Sequence, residues 1–466
     1  MRSIEQFKSL LIDQLDMQVA TFFTVQELDT LAMQAQFTQR TVNKLSGSTF
    51  FKLIVFNSDK LSEQSLNGLC VNLSVHEQVN MAEQSLNERF NKNALIFLKR
   101  ALEKVLSKQI IDKKVLANKF GFKRILIKDS TSFQIDESLK DIYPGSGGAA
   151  STASIKIQFE YDILCGTITA LTITPFVVQD SNDSKNTIIE LQAGDLIIRD
   201  LGYMSIELLK AIIKASSFFL SRTKPNVIMY EYLDDKKTLV REIDFVKLRE
   251  YMQQHHLSRM EKQVLLGKEM TIEVRLVISL LPIEIVAKRL RKTHRENKGK
   301  KLSREYCARA FFNLFNTNAP QELLGADQVA PLYTIRWQIE LFFKVCKSIG
   351  NIDKVKKVKK ERFECYIYAK LLIIVLCWKL FWSVNKYTYK TEKSIVSGYK
   401  FFRTILQNIG DFSKIWTKGC IKDQVVFLYN LCLLTKSYLL CETKKDDKNY
   451  RDIITNALHY SVFAGE

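Results

Sequence analysis

Three acidic residues, Asp129, Asp200 and Glu340, stand where carboxylates could act together on a phosphodiester. Residues 124–128 (Arg-Ile-Leu-Ile-Lys) form an apolar run ending at Asp129-Ser-Thr131, and residues 196–199 form another ending at Asp200-Leu-Gly-Tyr203. Acids at the carboxyl ends of neighbouring strands can converge within a few ångströms and bridge a hard divalent cation. Phosphoryl transfer by two metals needs such a cluster, one ion activating the attacking oxygen and the other stabilising the leaving oxygen. One Asp at a strand end reads by default as a turn residue. Two in this context leave the readings balanced.

The third acid carries more information. In Tyr333-Thr-Ile-Arg336-Trp-Gln-Ile-Glu340-Leu-Phe-Phe-Lys-Val-Cys-Lys347, positions 333, 336, 340 and 347 fall on one stripe of a helix. Ile335, Ile339, Phe342 and Phe343 lie on the other side, available to a core. Arg and Lys grip phosphates, and Glu can hold a metal. An intrahelical Arg336–Glu340 ion pair is the plain alternative. It explains those two residues but not Tyr333 or Lys347.

The elements that must hold these residues follow from periodicity. Residues 80–106 carry apolar side chains at helical spacing, and 24–31 and 39–45 are short amphipathic pieces. Strands are expected at 124–128, 154–161 and 167–174, with Gly166 at a hairpin. A helix at 184–193, a strand at 196–199, a helix at 205–216 and a strand at 218–221 follow. Strands are also expected at 226–232, 238–245 and 269–279, then helices at 320–350 and 363–384. Strand, hairpin, helix, strand, with acids ending the first and last strands, outlines a ribonuclease-H-like α/β core. The division expected is a helical N-terminal module at 1–115, the first part of the core at 116–223 and a β-rich insertion at 224–313. The second part of the core takes 314–385 and a helical C-terminal region 386–466.

Bulk properties narrow the partner. The net charge is +19, and residues 1–110 contribute twelve Lys/Arg against eleven Asp/Glu, so nearly all of the excess lies downstream. Residues 288–304 hold nine basic residues and one acid, and 344–362 hold eight and two. Either run alone reads as a solvated surface. Two runs flanking the Glu340 helix favour a polyanion such as DNA. The nine cysteines show no CxxC pair, which suits a reduced cytoplasmic protein with buried thiols, and the five His have no zinc spacing. Glu5 and the lack of an apolar leader argue against secretion. The apolar run 371–378 is too short to span a bilayer, so membrane binding is not expected. Glu160 and Asp162 read as exposed strand acids, and His255-His256 as surface.

The spacing Tyr-x2-Arg-x3-Glu-x6-Lys resembles the signature of the YREK group of bacterial insertion-sequence transposases, insertion-sequence family four. Asp129-Ser-Thr131 and Asp200-Leu-Gly-Tyr203 resemble that group's first and second acid motifs, and Phe315-Asn-Thr-Asn318 the segment before its signature helix. The likeness runs from about residue 80 to 385. It implies a DDE transposase that cuts transposon ends and joins them to target DNA. Asp129, Asp200 and Glu340 would bind two Mg2+ ions, with Mn2+ as a substitute. Tyr333, Arg336 and Lys347 would contact phosphates of the terminal inverted repeat, with Trp337 beside the same DNA. Lys288, Arg289, Arg291 and Lys292 would belong to a DNA-binding wall on the insertion. The partners implied are double-stranded DNA and a second copy of the chain in a synaptic dimer. One departure stands out: no Trp lies between Gly202 and Arg336, where hairpin-forming relatives place one to stack on a flipped base. Tyr306, Phe311 and Phe312 are the available aromatic substitutes. A metal-dependent nuclease without strand transfer and a non-catalytic DNA-binding derivative are the alternatives.

Overall fold

The computed structural model describes residues 23–39, 44–107, 121–147, 152–164, 166–224, 227–297, 301–410, 412–413 and 421–441. Glu5, most of the piece expected at 39–45 and the tail beyond 441 lie outside the described residues.

The site is carried by one sheet of ten strands in the order β3-β2-β1-β4-β5-β10-β9-β8-β6-β7. Its first half comprises β1 (Ile125–Gln134), β2 (Ser154–Asp162), β3 (Ile168–Pro175), β4 (Leu196–Arg199) and β5 (Phe218–Arg222). β1, β4 and β5 run parallel, while β2 and β3 form an antiparallel meander on β1. The expected hairpin is there, and only glycine serves at its turn. Gly166 has φ +75°, and a Cβ on it would meet the Trp382 ring at 2.4 Å. The Trp378 indole N–H closes the contact by donating to the Gly166 carbonyl at 2.9 Å.

The second half comprises β6 (Met229–Tyr232), β7 (Val240–Glu242), β8 (Arg259–Leu266), β9 (Ile272–Leu280) and β10 (Phe312–Thr317). These strands extend the same sheet, with β10 pairing antiparallel to both β5 and β9. Two expectations shift here. The strand expected over 238–245 stops at Glu242, because Asp244 accepts from the Val246 and Lys247 amides and starts a helix, Phe245–Gln254. β8 was not foreseen as a strand. Its inward positions Met260, Val264 and Leu266 are interrupted by Lys262, which pairs with Glu231 of β6.

Helices cover the sheet unevenly. One face of the second half is sealed by α7 (Ile206–Lys214) and α8 (Phe245–Gln254), which bury Leu208, Ile212, Leu248 and Met252 with Leu276, Ile278 and Leu314. α6 (Asp180–Thr187) precedes β4, and α9 (Ile283–Glu296) and α10 (Arg304–Arg309) separate β9 from β10. The N-terminal helices are α1 (Val25–Gln34), α2 (Gly47–Val55), α3 (Leu66–Glu77), α4 (Glu83–Arg89) and α5 (Lys92–Ser107). The helix expected over 80–106 is thus two, broken at Phe90, whose ψ of 84° leaves the helical region.

After β10 come α11 (Ala326–Thr334), α12 (Trp337–Ser348), the 33-residue α13 (Lys360–Glu392), α14 (Gly398–Gln407) and α15 (Ile421–Leu434). Within α13, Lys360–Tyr389 is long and apolar enough to cross a membrane, more than the short run at 371–378 suggests. In the fold it is a core helix, 72% buried over its most apolar window. It shares one hydrophobic core with α2, α5, β1, β2 and α12, and Tyr366 meets Phe90 edge-on at 5.6 Å. The thiols of Cys346, Cys365, Cys377 and Cys432 are free and buried in these C-terminal helices.

Candidate active site

β1 delivers Asp129 toward α12, and the register of β1 with β4 sets Asp200 beside it. Lys128 is level with Arg199, so the two acids occupy equivalent next positions at the carboxyl ends of parallel strands. Glu340 projects from the first turn of α12. The three converge on one cation, the guanidinium of Arg336. It donates to Asp129 Oδ2 at 2.7 Å and to Glu340 Oε1 at 3.2 Å, and lies 3.6 Å from Asp200 Oδ1.

The electrostatics are lopsided. Burial is the largest influence on Asp129 and pushes its pKa from 3.8 up to about 6. The Ser130 amide and Arg336 oppose that rise, while Asp200 and Glu340 add to it. For Arg336, burial works against the charge, but Asp200, Asp129, Tyr333 and Glu340 outweigh it and raise its pKa. One guanidinium facing three carboxylates is held protonated, yet it leaves the acids short of positive charge.

That shortage bears on metal binding. Among the described residues no three His, Cys, Asp or Glu side chains already close into a metal cage. Here the Arg336 guanidinium stands among the acids. The donor set is all carboxylate oxygen, the chemistry that hard divalent cations take. The acids already focus on a single cation and carry uncompensated charge. They fit the group.

The stripe read from the sequence is partly corrected. Pro331 lies inside α11, and at residues 335–336 the chain tightens into a turn, with Arg336 N bonded to Tyr333 O at 3.2 Å. The helix restarts at Trp337, and Tyr333, at the end of α11, still faces Arg336 and Asp200, whose charges act on its hydroxyl. Its ring is buried against Phe315 at 5.3 Å, and burial raises its pKa. Arg336, Glu340 and Lys347 do share a side. Lys347 Nζ donates to the Ser132 carbonyl at 3.0 Å, so the stripe lies along β1 from Asp129 to Ser132. The apolar side packs as expected, Phe342 stacking on Phe159 at 4.0 Å with Ile335 and Ile339 fully buried. The side chain of Trp337 lies outside those described.

α9 presents Lys288, Arg291 and Lys292 to solvent, Lys292 lying 3.7 Å from Glu296. Arg289 departs from that wall. It turns inward, donating to the Phe312 carbonyl at 3.0 Å and Asn313 Oδ1 at 2.6 Å, and burial lowers its pKa. Lys354, Lys356 and Lys357 are exposed beyond α12, and His255-His256 are exposed as expected.

Glu160 and Asp162 are buried, against the expectation of exposed strand acids. Glu160 pairs with Arg199 at 2.7 Å, and Asp162 Oδ1 accepts from the Ile125 and Leu164 amides at 3.1 and 3.0 Å. Alternation along β2 implies one wet face, but every residue of that strand is buried. Gln158 and Asp180 are hydrogen-bonded behind Asp129, and Arg222 acts by its charge on Tyr333, none of them having been singled out. Nothing in local periodicity marks them.

With this geometry in view, comparison with known proteins gives the class. The profile of the transposase DDE domain matches residues 120–376, a span that contains all three acids. Relatives extend the likeness along most of the chain. The transposase for insertion sequence element IS231F of Bacillus thuringiensis subsp. israelensis is 32% identical over 85% of this chain and 88% of its own length. That for IS231E of Bacillus thuringiensis subsp. finitimus is 30% identical over 83% and 86%. The transposase for IS1151 of Clostridium perfringens is 30% identical over 83% and 84%. The chain belongs to the DDE transposases.

Proposed function

We propose that the chain cuts DNA at the ends of an insertion sequence and joins those ends to target DNA. Asp129, Asp200 and Glu340 would hold two Mg2+ ions, with Mn2+ able to substitute. The observation that carries this reading is the convergence of the three carboxylates on the Arg336 guanidinium. Divalent cations bound there would supply the Lewis acidity for phosphodiester hydrolysis and for strand transfer. Everything else falls to the chain. Asp129 would have to ionise to serve, and the charge of a bound cation would favour its anion against the effect of burial. With cations held by the acids, Arg336 would be available to pair with a phosphate of the transposon end, a bidentate contact that suits a guanidinium. Lys347, held over β1, offers a second cation along the same strand. Tyr333 acts from its buried position by fixing the α11–α12 turn that aims Arg336.

The Arg336, Glu340 and Lys347 spacing supports assignment to the YREK group, and the strand order β3-β2-β1-β4-β5 supports a ribonuclease-H-like core. Continuation of the sheet through β10 to β7 suits an insertion that widens the DNA-facing surface. On it, Lys288, Arg291 and Lys292 form the phosphate-binding wall. The domain limits given above, a dimer that pairs two ends and a cytoplasmic location belong to the same proposal.

The test is cleavage of labelled terminal-repeat DNA in Mg2+ by the wild type and Glu340→Gln. The wild type should release the end and give a joined product, and the variant neither. Equal cleavage by the two defeats the catalytic reading. Cleavage without joining leaves the nuclease alternative standing.

A further inference from the structure

Alternation along β1 sends Asp129 to one face of the sheet and its neighbours Lys128 and Ser130 to the other. On that rear face β2 contributes Lys156, Gln158 and Glu160, all buried, and α6 lays Asp180 and Asp183 over them. Lys128 pairs with Asp183, and Arg199 with Glu160. Asp180 is the hub. Its Oδ1 accepts from Lys156 Nζ at 3.0 Å, Gln158 Nε2 at 3.0 Å and Ser130 Oγ at 3.3 Å. The Tyr203 hydroxyl, on a side chain 1% exposed, donates to the other end of the Gln158 amide at 2.5 Å. Tyr203 closes a single helical turn on Asp200, its amide bonded to the Asp200 carbonyl at 3.0 Å.

A continuous path therefore joins the two acids from behind. It runs from Asp129-Ser130 through Asp180 and Gln158 to Tyr203 and Asp200. We propose that Asp180, Gln158 and Tyr203 are positioning residues that fix the spacing of Asp129 and Asp200 for divalent-cation binding. The inference rests on the reading of those two acids as metal ligands.

The physical need is plain. Metal–oxygen bonds tolerate only about 0.2 Å of misplacement, and Asp200 sits at a strand end with its side chain 45% exposed. Packing does not hold such a group from the front. The rear path does so through hydrogen bonds, fully buried at Tyr203–Gln158 and half-buried at Asp180, where an unmade partner is costly. Gly202 lies against the same hub, since a Cβ there would sit 3.6 Å from Asp180 Oδ2. The Asp200-Leu-Gly-Tyr203 segment thus touches the path at two points.

The test uses the full chain and Mn2+ alone, followed by electron paramagnetic resonance without DNA. Tyr203→Phe removes one hydroxyl and keeps the ring. It should weaken Mn2+ binding about tenfold, in the range typical of partners that orient metal ligands. Affinity for terminal-repeat DNA in EDTA should stay at the wild-type value, and cleavage should recover as Mg2+ is raised. Asp180→Asn, at the less buried end of the path, should act in the same direction and serves if the Tyr203 variant folds poorly. Asp200→Asn is the control. Wild-type Mn2+ affinity in Tyr203→Phe and Asp180→Asn, with Asp200→Asn impaired, overturns the positioning role while sparing the metal site. Equal losses of Mn2+ and DNA affinity with a lowered melting temperature overturn it in favour of general stability. Wild-type Mn2+ affinity in Asp200→Asn removes the metal-site reading, and the positioning role with it.

Discussion

Replacing Asp129 with Asn should make this protein more stable at neutral pH. The folded chain must ionise Asp129 against a pKa pushed from 3.8 to about 6, chiefly by burial. Two pKa units correspond to about 3 kcal/mol, at roughly 1.4 kcal/mol each. The sign follows from proton counting. A carboxyl with a raised folded pKa binds protons more tightly in the folded state, so stability is greatest below about pH 4 and falls as pH climbs toward 6. Asn can still accept from the Ser130 amide, which bonds Asp129 Oδ1 at 2.8 Å, but it carries no charge to desolvate. The variant should therefore exceed the wild type by up to about 3 kcal/mol above pH 7, with the gap narrowing toward pH 4. For a chain of this length the unfolding entropy is on the order of 1 kcal/mol per degree, so the melting temperature should rise by roughly 3 °C. Thermal unfolding in EDTA at pH 4.5, 6 and 7.5 reads this directly. Adding Mg2+ should then raise the wild type and leave Asp129→Asn unmoved. A variant that melts at or below the wild type at pH 7.5, or a gap that does not shrink with acid, rules out a burial penalty on ionised Asp129.

Further outcomes concern the basic surface and its anchoring. Replacing Lys288, Arg291 and Lys292 together with Ala should lower the slope of log K for DNA against log salt by about 2.7, at 0.9 per phosphate contact; an unchanged slope places the DNA elsewhere. Lys370, buried in α13, donates to the Asn351 and Lys354 carbonyls at 2.6 and 2.7 Å and so ties down the lysine-rich loop after α12. Lys370→Met should speed tryptic cutting at Lys354–Lys357, the bonds to both carbonyls being lost. Burial pushes the Lys370 pKa down to about 8, so the unfolded chain binds the extra proton between pH 8 and 10.5. Wild-type stability should rise across that window by a term that Lys370→Met lacks, measurable by chemical unfolding at each pH.

Much of the site was legible because its signals are local. Asp129 and Asp200 each follow an apolar strand, and i,i+4 spacing alone places Arg336 and Glu340 together. Helical spacing puts Tyr333 on one continuous helix, whereas a tightened turn at 335–336 divides that helix in two, and Tyr333 still faces Arg336 and Asp200 across it. β2 misled for a different reason. Its alternating polar residues look solvated, yet Glu160 finds Arg199, and Lys156 and Gln158 find Asp180, partners distant in the chain. Arg289 looked like its exposed neighbours because the groups that turn it inward, the Phe312 carbonyl and Asn313, lie on a later strand. Long-range pairing leaves no periodic trace.

The place of β10 in the sheet also governs when the protein can come into being. β10 emerges last of the ten strands but lies in the middle, between β5 and β9. During synthesis the first five strands are complete by residue 222, yet their edge stays open until residue 317 leaves the ribosome. β6 to β9 can pair among themselves meanwhile and pack on α7 and α8, but no strand yet joins them to β5. Glu340 follows within a few seconds at ordinary translation rates of roughly 5–20 residues per second. Sheet closure and completion of the acid triad are thus nearly one event, and a chain that stalls before it has neither.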